Sequence, residues 1–273
     1  MGTLANGGAR VKVRAGGIDL GYDEAGSGMT LLLLHGFPHD RSLWAPQLVG
    51  LSRRGRVIAP DLRGFGESTA APPYSVDQYA DDAAALLDAL GIERAVIGGL
   101  SMGGYATLAF WRRHRNRVRA LVLADTRAGA DSDEGKLKRR ELIDLARSAG
   151  SAAVAQQMIT GMVGKTTRER RPELVDSVRA MMSRAGVDGV VGALEALMSR
   201  PDSTATLPTI DVPTLIVVGA EDVLTPPKEA ATLAAGIPRS TLEVIPRAGH
   251  VSNLERPAAF NYVVTDFLRR AVG

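Results

Sequence analysis

One serine lies between glycines at the point where an apolar run meets a helical pattern. Gly99, Ser101 and Gly103 form Gly-x-Ser-x-Gly, with a predicted buried strand before them (Ala95–Leu100) and a predicted helix after (Met102–His114). A serine at a sharp strand-to-helix turn projects its hydroxyl above the sheet, and the crowded turn needs small neighbours. The helix N-terminus also directs amide groups at the charge that develops on a bound carbonyl oxygen. The pattern therefore predicts a serine nucleophile for carbonyl chemistry.

A serine nucleophile needs a base, and the chain offers four histidines. His250 follows the last predicted strand and precedes the last helix, so it lies on a loop at the carboxyl edge of the sheet. His114 belongs to a basic helix end, where a surface side chain is expected. His35 and His39 follow the third predicted strand and are expected to shape a loop near the site. The position favours His250 as the base and keeps His35 and His39 as weaker alternatives.

The base in turn needs a carboxylate that fixes its tautomer and stabilises the imidazolium. Asp222 follows the seventh predicted strand and is the favoured acid. Glu221 is one position away and is expected to face the other way. Asp125, after the sixth predicted strand, is the rival acid, although a loop role or a role in anchoring the inserted segment is favoured for it.

Two backbone amides are needed to hold the oxyanion. The Met102 amide, at the start of the helix after the serine, supplies one. The other is expected from the loop after the apolar strand Leu31–Leu34, where Gly36 permits a tight turn and the Phe37 amide follows. The Phe37 ring fits either an acyl pocket or the core.

Short apolar runs alternate with helical patterns along the chain, which predicts a mostly parallel sheet covered by helices on both faces. The predicted strands are Val11–Arg14, Ile18–Asp23, Leu31–His35, Val57–Pro60, Ala95–Leu100, Ala120–Asp125, Thr214–Gly219 and Thr241–Ile245. The predicted helices are Leu43–Leu51, Val76–Leu90, Met102–His114, Pro226–Ala235 and Pro257–Arg270. Ser75 is the expected N-cap of the second helix.

The alternation stops over residues 126–208, which contain helical patterns and no convincing strand. We predict a helical insertion here, within a core formed by residues 1–125 and 209–273. The serine precedes the insertion while acid and base follow it, so the chain is expected to be one catalytic domain. Five of the eight methionines lie in the insertion, as an adaptable lining of a substrate pocket or as ordinary packing.

Composition excludes several other classes of protein. With 273 residues and 45% hydrophobic residues, the chain can bury a large core. Zero cysteines exclude disulfide scaffolds and thiolate catalysis, and a net charge of +3 does not predict a nucleic-acid partner. The longest apolar run, Leu31–Leu34, is far below the roughly 18 residues of a membrane span. With no secretory signal apparent, we expect a cytoplasmic enzyme without a membrane partner, cofactor or metal.

The order Ser101, Asp222, His250 is that of nucleophile, acid and base in the α/β-hydrolase fold, and the sequence resembles that family over essentially its whole length. The resemblance rests on His35–Pro38, Asp61–Ser68, the serine turn, Gly219–Asp222 and Ala248–His250. Three further segments, Gly98–Tyr105, Asp125–Ala128 and Ser199–Ser203, resemble small bacterial carboxylesterases and the 3-oxoadipate enol-lactonase-like branch more specifically.

The resemblance implies about eight mostly parallel strands, with a helical cap inserted after strand six and lying over Ser101. It also implies that Ser101, Asp222 and His250 form the catalytic triad, and that the Phe37 and Met102 amides form the oxyanion hole. The expected activity is hydrolysis of small carboxylic esters through an acyl-enzyme. The main alternative is a lactone hydrolase of the 3-oxoadipate enol-lactonase type, for which Arg127 or Arg200 could supply a cation. Cofactor-free haloperoxidase or perhydrolase activity, and a non-catalytic ligand receptor, also stay open.

Overall fold

A central sheet is formed by short apolar strands that glycine, proline or polar residues terminate. The computed structural model describes residues 2–3 and 9–271, with side chains from residue 11 to residue 271. Its strands are β1 (Ala9–Ala15), β2 (Ile18–Ala25), β3 (Thr30–Leu34), β4 (Arg56–Pro60), β5 (Ala95–Leu100), β6 (Val118–Ala124), β7 (Thr214–Gly219) and β8 (Ser240–Ile245). Gly2–Thr3 adds a two-residue strand against β1.

The strand order across the sheet is Gly2–Thr3, β1, β2, β4, β3, β5, β6, β7, β8. β1, β2 and β4 pair antiparallel, and all pairs from β4 through β3 to β8 are parallel. Every residue of β3, β5 and β7 is buried, as expected for parallel strands covered on both faces. The prediction of about eight mostly parallel strands is confirmed.

Two predicted strands end one residue earlier than expected. β3 ends at Leu34, before His35, and β6 ends at Ala124, before Asp125. β6 ends before Asp125 because this residue has φ = +45°, a left-handed conformation that cannot continue a strand. Both side chains therefore lie just beyond the carboxyl edge of the sheet.

Helices cover both faces of the sheet and fill the segment between β6 and β7. They are α1 (Ala45–Leu51), α2 (Val76–Ala89), α3 (Met102–His114), α4 (Asp133–Met162), α5 (Lys165–Arg170), α6 (Pro172–Ser183), α7 (Val187–Ser199), α8 (Pro227–Gly236), α9 (Ser252–Glu255) and α10 (Pro257–Ala271). The Ser75 hydroxyl accepts from the Gln78 amide at the start of α2, as predicted. Side chains of α2, α3 and α8 join one apolar core, and those of α1 and α10 join the other.

The helices α4 to α7 form one inserted unit. α4 packs against α6 and α7, and it bends at Gly150, whose φ of +78° interrupts the helical conformation. Buried residues of α7, such as Leu194 and Leu197, join the apolar core on the α2 and α3 side of the sheet. None of the helices in the described part of the chain is long and apolar enough to span a bilayer.

Candidate active site

Ser101 lies at the turn between β5 and α3, and its backbone is strained. Its φ is +56°, a left-handed value that non-glycine residues rarely adopt. A Cβ added at Gly99 would lie 2.1 Å from the Gly103 carbonyl oxygen, and one at Gly103 would lie 2.1 Å from that of Leu34. The close approach of three backbone segments therefore requires both glycines of the pattern. The turn places Ser101 at the N-terminus of α3, with the Met102 amide in its first turn.

His250 and Asp222 lie at the same edge of the sheet and form a buried pair. His250 Nδ1 is 2.8 Å from Asp222 Oδ2, and their side chains are 2% and 0% exposed. The Leu224 and Thr225 amides donate to Asp222 Oδ1 at 2.8 and 3.0 Å, and the Thr225 hydroxyl donates to Oδ2 at 2.8 Å. Because Nδ1 faces the carboxylate, Nε2 is the nitrogen left for a proton from Ser101.

The charges of this pair support each other against burial. Burial opposes the imidazolium, but the charge and hydrogen bond of Asp222, together with the nearby Asp125 and Glu255, outweigh burial and raise the pKa of His250 above 6.5. Burial likewise opposes the carboxylate, yet His250 and the Thr225 donors lower the pKa of Asp222. The geometry therefore gives a base that is orientated by its acid.

The other histidines have different surroundings. His35 Nδ1 lies 2.9 Å from the Gly36 carbonyl, and its Nε2 accepts from the Leu62 amide at 2.9 Å, so its ring holds two loops together. Burial lowers the pKa of His35, and burial together with His35 and His250 lowers that of His39 to about 3. His114 contacts Asp81 at a partly exposed helix end. His250 is thus the buried histidine with a raised pKa.

Asp125 is a second buried carboxylate, behind the histidine loop. Its Oδ1 accepts from the Gly219 amide at 2.8 Å and its Oδ2 from the Ser252 hydroxyl at 2.5 Å. Burial and the nearby Asp222 carboxylate raise its pKa well above its usual range. These two hydrogen bonds reach β7 and α9, so of the two roles expected for Asp125 the loop role applies rather than anchoring of the inserted segment: it ties together the strand ends and the histidine loop.

The inserted helices are anchored instead by two glutamates. Glu255, fully buried, accepts from the Gly249 and Gly164 amides at 2.8 and 2.9 Å and so joins the histidine loop to the start of α5. Glu221 accepts from the Thr166 amide at 2.7 Å and so joins the end of β7 to the start of α5. Glu255 could not be predicted from the sequence, because nothing in its local pattern distinguishes it from a surface glutamate of a helix.

Ser101 and His250 line one cavity of about 130 Å³ between the sheet and the inserted helices. Its walls are formed by Phe37, Ser101, Tyr105, Arg127, Arg139, Met158, Met162, Leu197, Leu224, Thr225 and His250. The Phe37 ring both lines this cavity and packs edge-on against Phe65, with ring centroids 6.4 Å apart. Met158 and Met162 line it too, whereas Met181 and Met182 are packed in the core. Phe37 therefore both lines the pocket and packs in the core, and the methionines of the insertion are divided between pocket lining and ordinary packing.

Two basic side chains lie beside the apolar ones in the part of the cavity wall that comes from the insertion. Arg127 and Arg139 line the cavity, and both contact the buried carboxylate of Asp131. Arg200 pairs with the same carboxylate at 2.8 Å and lies 4.1 Å over the Tyr105 ring. Sequence analysis named Arg127 and Arg200 and missed Arg139 and Asp131. Within residues 11–271, no cluster of three or more His, Asp or Glu side chains is arranged as a metal site.

Known proteins share this architecture. The family model described as alpha/beta hydrolase fold matches residues 30–257. The 3-oxoadipate enol-lactonase 2 of Acinetobacter baylyi is 32% identical over 230 residues, which is 84% of each chain. Among solved structures, a thermophilic esterase from Thermogutta terrifontis with malate bound is 40% identical, with a TM-score of 0.93 and coverage of 97% of this chain and 100% of that one. The enol-lactonase of Burkholderia xenovorans LB400 is 31% identical, with a TM-score of 0.89 and coverage of 95% and 100%. The chain therefore belongs to the α/β-hydrolase fold family.

Proposed function

We propose that this protein is a serine carboxylesterase that hydrolyses small carboxylic esters with Ser101, His250 and Asp222 as its catalytic residues. One observation carries the proposal: the buried His250, 2.8 Å from Asp222, lines the same cavity as the strained Ser101. Perturbed ionisable groups that converge on a nucleophile in a cavity are the arrangement that acyl transfer needs.

In the first half of the reaction, Ser101 Oγ attacks the ester carbonyl carbon while His250 Nε2 takes the hydroxyl proton. Asp222 holds the imidazole by Nδ1 and stabilises its positive charge. The oxygen that becomes negative is held by the amides of Met102 and Phe37. When the tetrahedral intermediate collapses, the bond to the alcohol oxygen breaks and His250 returns the proton to the leaving alcohol.

In the second half, water takes the place of the alcohol. His250 accepts a proton from water as the water oxygen attacks the acyl carbon. The same two amides stabilise the second oxyanion. Ser101 then leaves with the proton from His250, and the carboxylic acid is released.

The cavity also indicates the size of the substrate. Its volume of about 130 Å³ is smaller than the roughly 300–1,000 Å³ of pockets for drug-sized ligands, which favours short acyl groups. We infer that residues 126–208 act as a cap, since Met158, Met162 and Leu197 close the cavity opposite the sheet.

Hydrolysis of p-nitrophenyl acetate and p-nitrophenyl butyrate tests the proposal. We expect turnover of both, with acetate preferred, and a fall to near the background rate in Ser101→Ala. Ser177→Ala is the matched control, because Ser177 is exposed on α6 and bonds only the Glu173 carbonyl there. Hydrolysis that stayed at background in the unmodified protein, or that survived in Ser101→Ala, would overturn the proposal.

A lactone hydrolase of the 3-oxoadipate enol-lactonase type is the second candidate. The enol-lactonases of Acinetobacter baylyi and Burkholderia xenovorans, at 32% and 31% identity, favour it. The same triad would open a lactone, but the leaving oxygen would stay attached to the acyl chain. An enol-lactone assayed beside acyl esters of increasing length distinguishes the two. The cytoplasmic location stays a prediction that cell fractionation would test.

A further inference from the structure

The cavity at Ser101 continues into a larger outer pocket of about 460 Å³. Arg127, Arg139, Met158 and Leu224 line both spaces. The two arginines therefore lie at the junction through which a substrate passes on its way to the nucleophile. Further out, the outer pocket is lined by residues of both charges, including Lys138 and Glu141, so the two arginines are the basic residues of this pocket nearest the nucleophile.

The arginines at the junction belong to a cluster with more positive than negative charge. Asp131, whose side chain is 0% exposed, is the shared partner of Arg127, Arg139 and Arg200. These three guanidinium groups and Tyr105 surround a single carboxylate that contacts them. Burial raises the pKa of Asp131, but the three nearby arginines outweigh burial and lower it. The carboxylate therefore stays charged, and its single negative charge neutralises only one of the three arginines.

The three arginines are not equivalent. Arg200 is 2% exposed, and its guanidinium contacts the Gly129 carbonyl, Asp131 and the Tyr105 ring, although its Nε is buried without a hydrogen-bond partner among the described residues. Arg127 and Arg139 are 27% and 18% exposed and line the cavity. Arg127 Nε is buried without a hydrogen-bond partner among the described residues. Buried donors of this kind are normally satisfied, which points to a ligand that supplies acceptors.

We propose that Arg127 and Arg139 form an anion subsite that binds a free carboxylate of the substrate, so that the enzyme selects short esters carrying such a group. The inference rests on the proposed function, because it places the charged end of the substrate relative to Ser101. Arginine is suited to this role, since its planar donors match a carboxylate. Arg200 and Asp131 are positioning residues that hold the two arginines at the junction.

The reaction on such a substrate balances without any further reactant. With monoethyl succinate, the Ser101 oxygen bonds to the acyl carbon, the bond from that carbon to the ethanol oxygen breaks, and His250 protonates the ethanol. Water then replaces Ser101 on the acyl carbon. The products are succinate, ethanol and one proton, and the charged end of the acyl group stays on the arginines throughout.

Paired substrates of equal length test the subsite. Monoethyl succinate and ethyl butyrate differ by a carboxylate on the acyl part of the ester. Acetoxyacetate and propyl acetate differ by a carboxylate on the alcohol part. We expect a preference of about 10- to 100-fold in kcat/KM for the charged member of a pair, the effect of one or two charge-assisted hydrogen bonds. A preference in either pair upholds the subsite and tells which part of the ester bears the charge. Equal kcat/KM values in both pairs overturn it.

The variants separate binding from a purely structural role of the cluster. Arg139→Gln leaves Asp131 with Arg127 and Arg200, and we expect it to reduce the preference at least tenfold, mainly through KM. Arg147→Gln, on an exposed part of the same helix, is the control that retains the preference. A cluster that only stabilises the fold would lower the thermal midpoint in Arg139→Gln and leave the preference intact.

A binding measurement distinguishes failure of the subsite from failure of the proposed function. Succinate is titrated into Ser101→Ala by calorimetry, and into the double variant with Arg139→Gln. Binding that depends on Arg139 upholds the subsite even if no ester is hydrolysed, in which case the esterase proposal alone fails. Ester hydrolysis without a charge preference and without succinate binding overturns the subsite alone.

Discussion

The two sides of the cavity have opposite charge arrangements. On the histidine wall, defined as His250, Asp222, Asp125 and Glu255, one imidazole lies among three buried carboxylates. On the arginine wall, defined as Asp131, Arg127, Arg139 and Arg200, one buried carboxylate lies among three guanidinium groups. Ser101 shares its cavity with His250 of one wall and with Arg127 and Arg139 of the other, so the proposed nucleophile has the proposed base and positive charge in the same space.

The two walls also differ in what holds them. Backbone amides hold the carboxylates of the histidine wall: Leu224 and Thr225 for Asp222, Gly219 for Asp125, Gly164 and Gly249 for Glu255. Side-chain pairs dominate the arginine wall. The histidine wall therefore depends on the path of the main chain, whereas the arginine wall can change by substitution without a change of fold. In the proposed mechanism, reaction chemistry and substrate preference therefore depend on separate parts of the molecule.

The largest effect on activity is expected when a residue of the histidine wall is substituted. In Asp222→Asn, the amide keeps the shape but loses the charge and the acceptor that fix His250, so kcat should fall about 10⁴-fold. Steady-state kinetics with p-nitrophenyl acetate measures the change. If Asp222→Asn stayed active while Asp125→Asn was crippled, Asp125 would be the acid and the assignment would be reversed.

The next effect is on stability and concerns the arginine wall. Asp131→Asn leaves three guanidinium groups around a neutral amide, and losing one partner of a buried ion cluster costs about 3–5 kcal/mol in free energy of unfolding. Urea denaturation followed by circular dichroism measures it. The control, Asp176→Asn, removes the exposed partner of Arg179 and should cost less than about 1 kcal/mol. Equal losses in the two variants would show that Asp131 is not the centre of the cluster.

Sequence alone predicted the histidine wall better than the arginine wall, and the reason is physical. Ser101, Asp222 and His250 follow strands or precede helices, so the sheet topology brings them to one edge. The glycines beside the serine are required by close backbone contacts, which leave a recognisable local pattern. The fold class could be predicted from the same alternation of strands and helices.

The arginine wall has no comparable local signal. Arg139 lies in the basic stretch Lys136–Arg140, and only the direction of α4 selects it for the cavity. Its partner Asp131 is separated from it by the start of that helix. Asp125 shows the same difficulty, since a residue after a parallel strand can face the histidine loop or the insertion, and only the three-dimensional path of α9 decides.

A smaller effect on activity is expected when Asp125, the second aspartate of the histidine wall, is replaced by asparagine. Because burial and Asp222 raise the pKa of Asp125, its surroundings oppose the negative charge, and a neutral asparagine of the same shape is expected to be tolerated. Its side-chain oxygen can still accept from the Gly219 amide. Asp125→Asn should therefore change kcat/KM by at most about tenfold, the equivalent of one hydrogen bond of about 0.5–1.5 kcal/mol.

The matched variant Asp125→Ala tests the reason for that tolerance. It leaves the buried Gly219 amide without its partner, so the free energy of unfolding should fall by about 1–3 kcal/mol. Thermal denaturation compares the two variants. Asparagine and alanine variants of equal stability would show that the hydrogen bond to β7 does not hold the strand ends.

The smallest effect is a displacement of the acid limb of the pH profile. Only neutral His250 can take the Ser101 proton, so kcat/KM must fall as the pH falls through the pKa of that histidine. Burial lowers the pKa of His250, but the charge and the hydrogen bond of Asp222, together with the nearby Asp125 and Glu255, outweigh burial, so the midpoint should lie above 6.5. His114→Gln, at a partly exposed site on Asp81, should leave the midpoint unchanged. A midpoint at or below 6.5 would mean that burial dominates at His250 and that the carboxylates of the histidine wall do not stabilise its charge, which would remove the electrostatic contrast between the two walls.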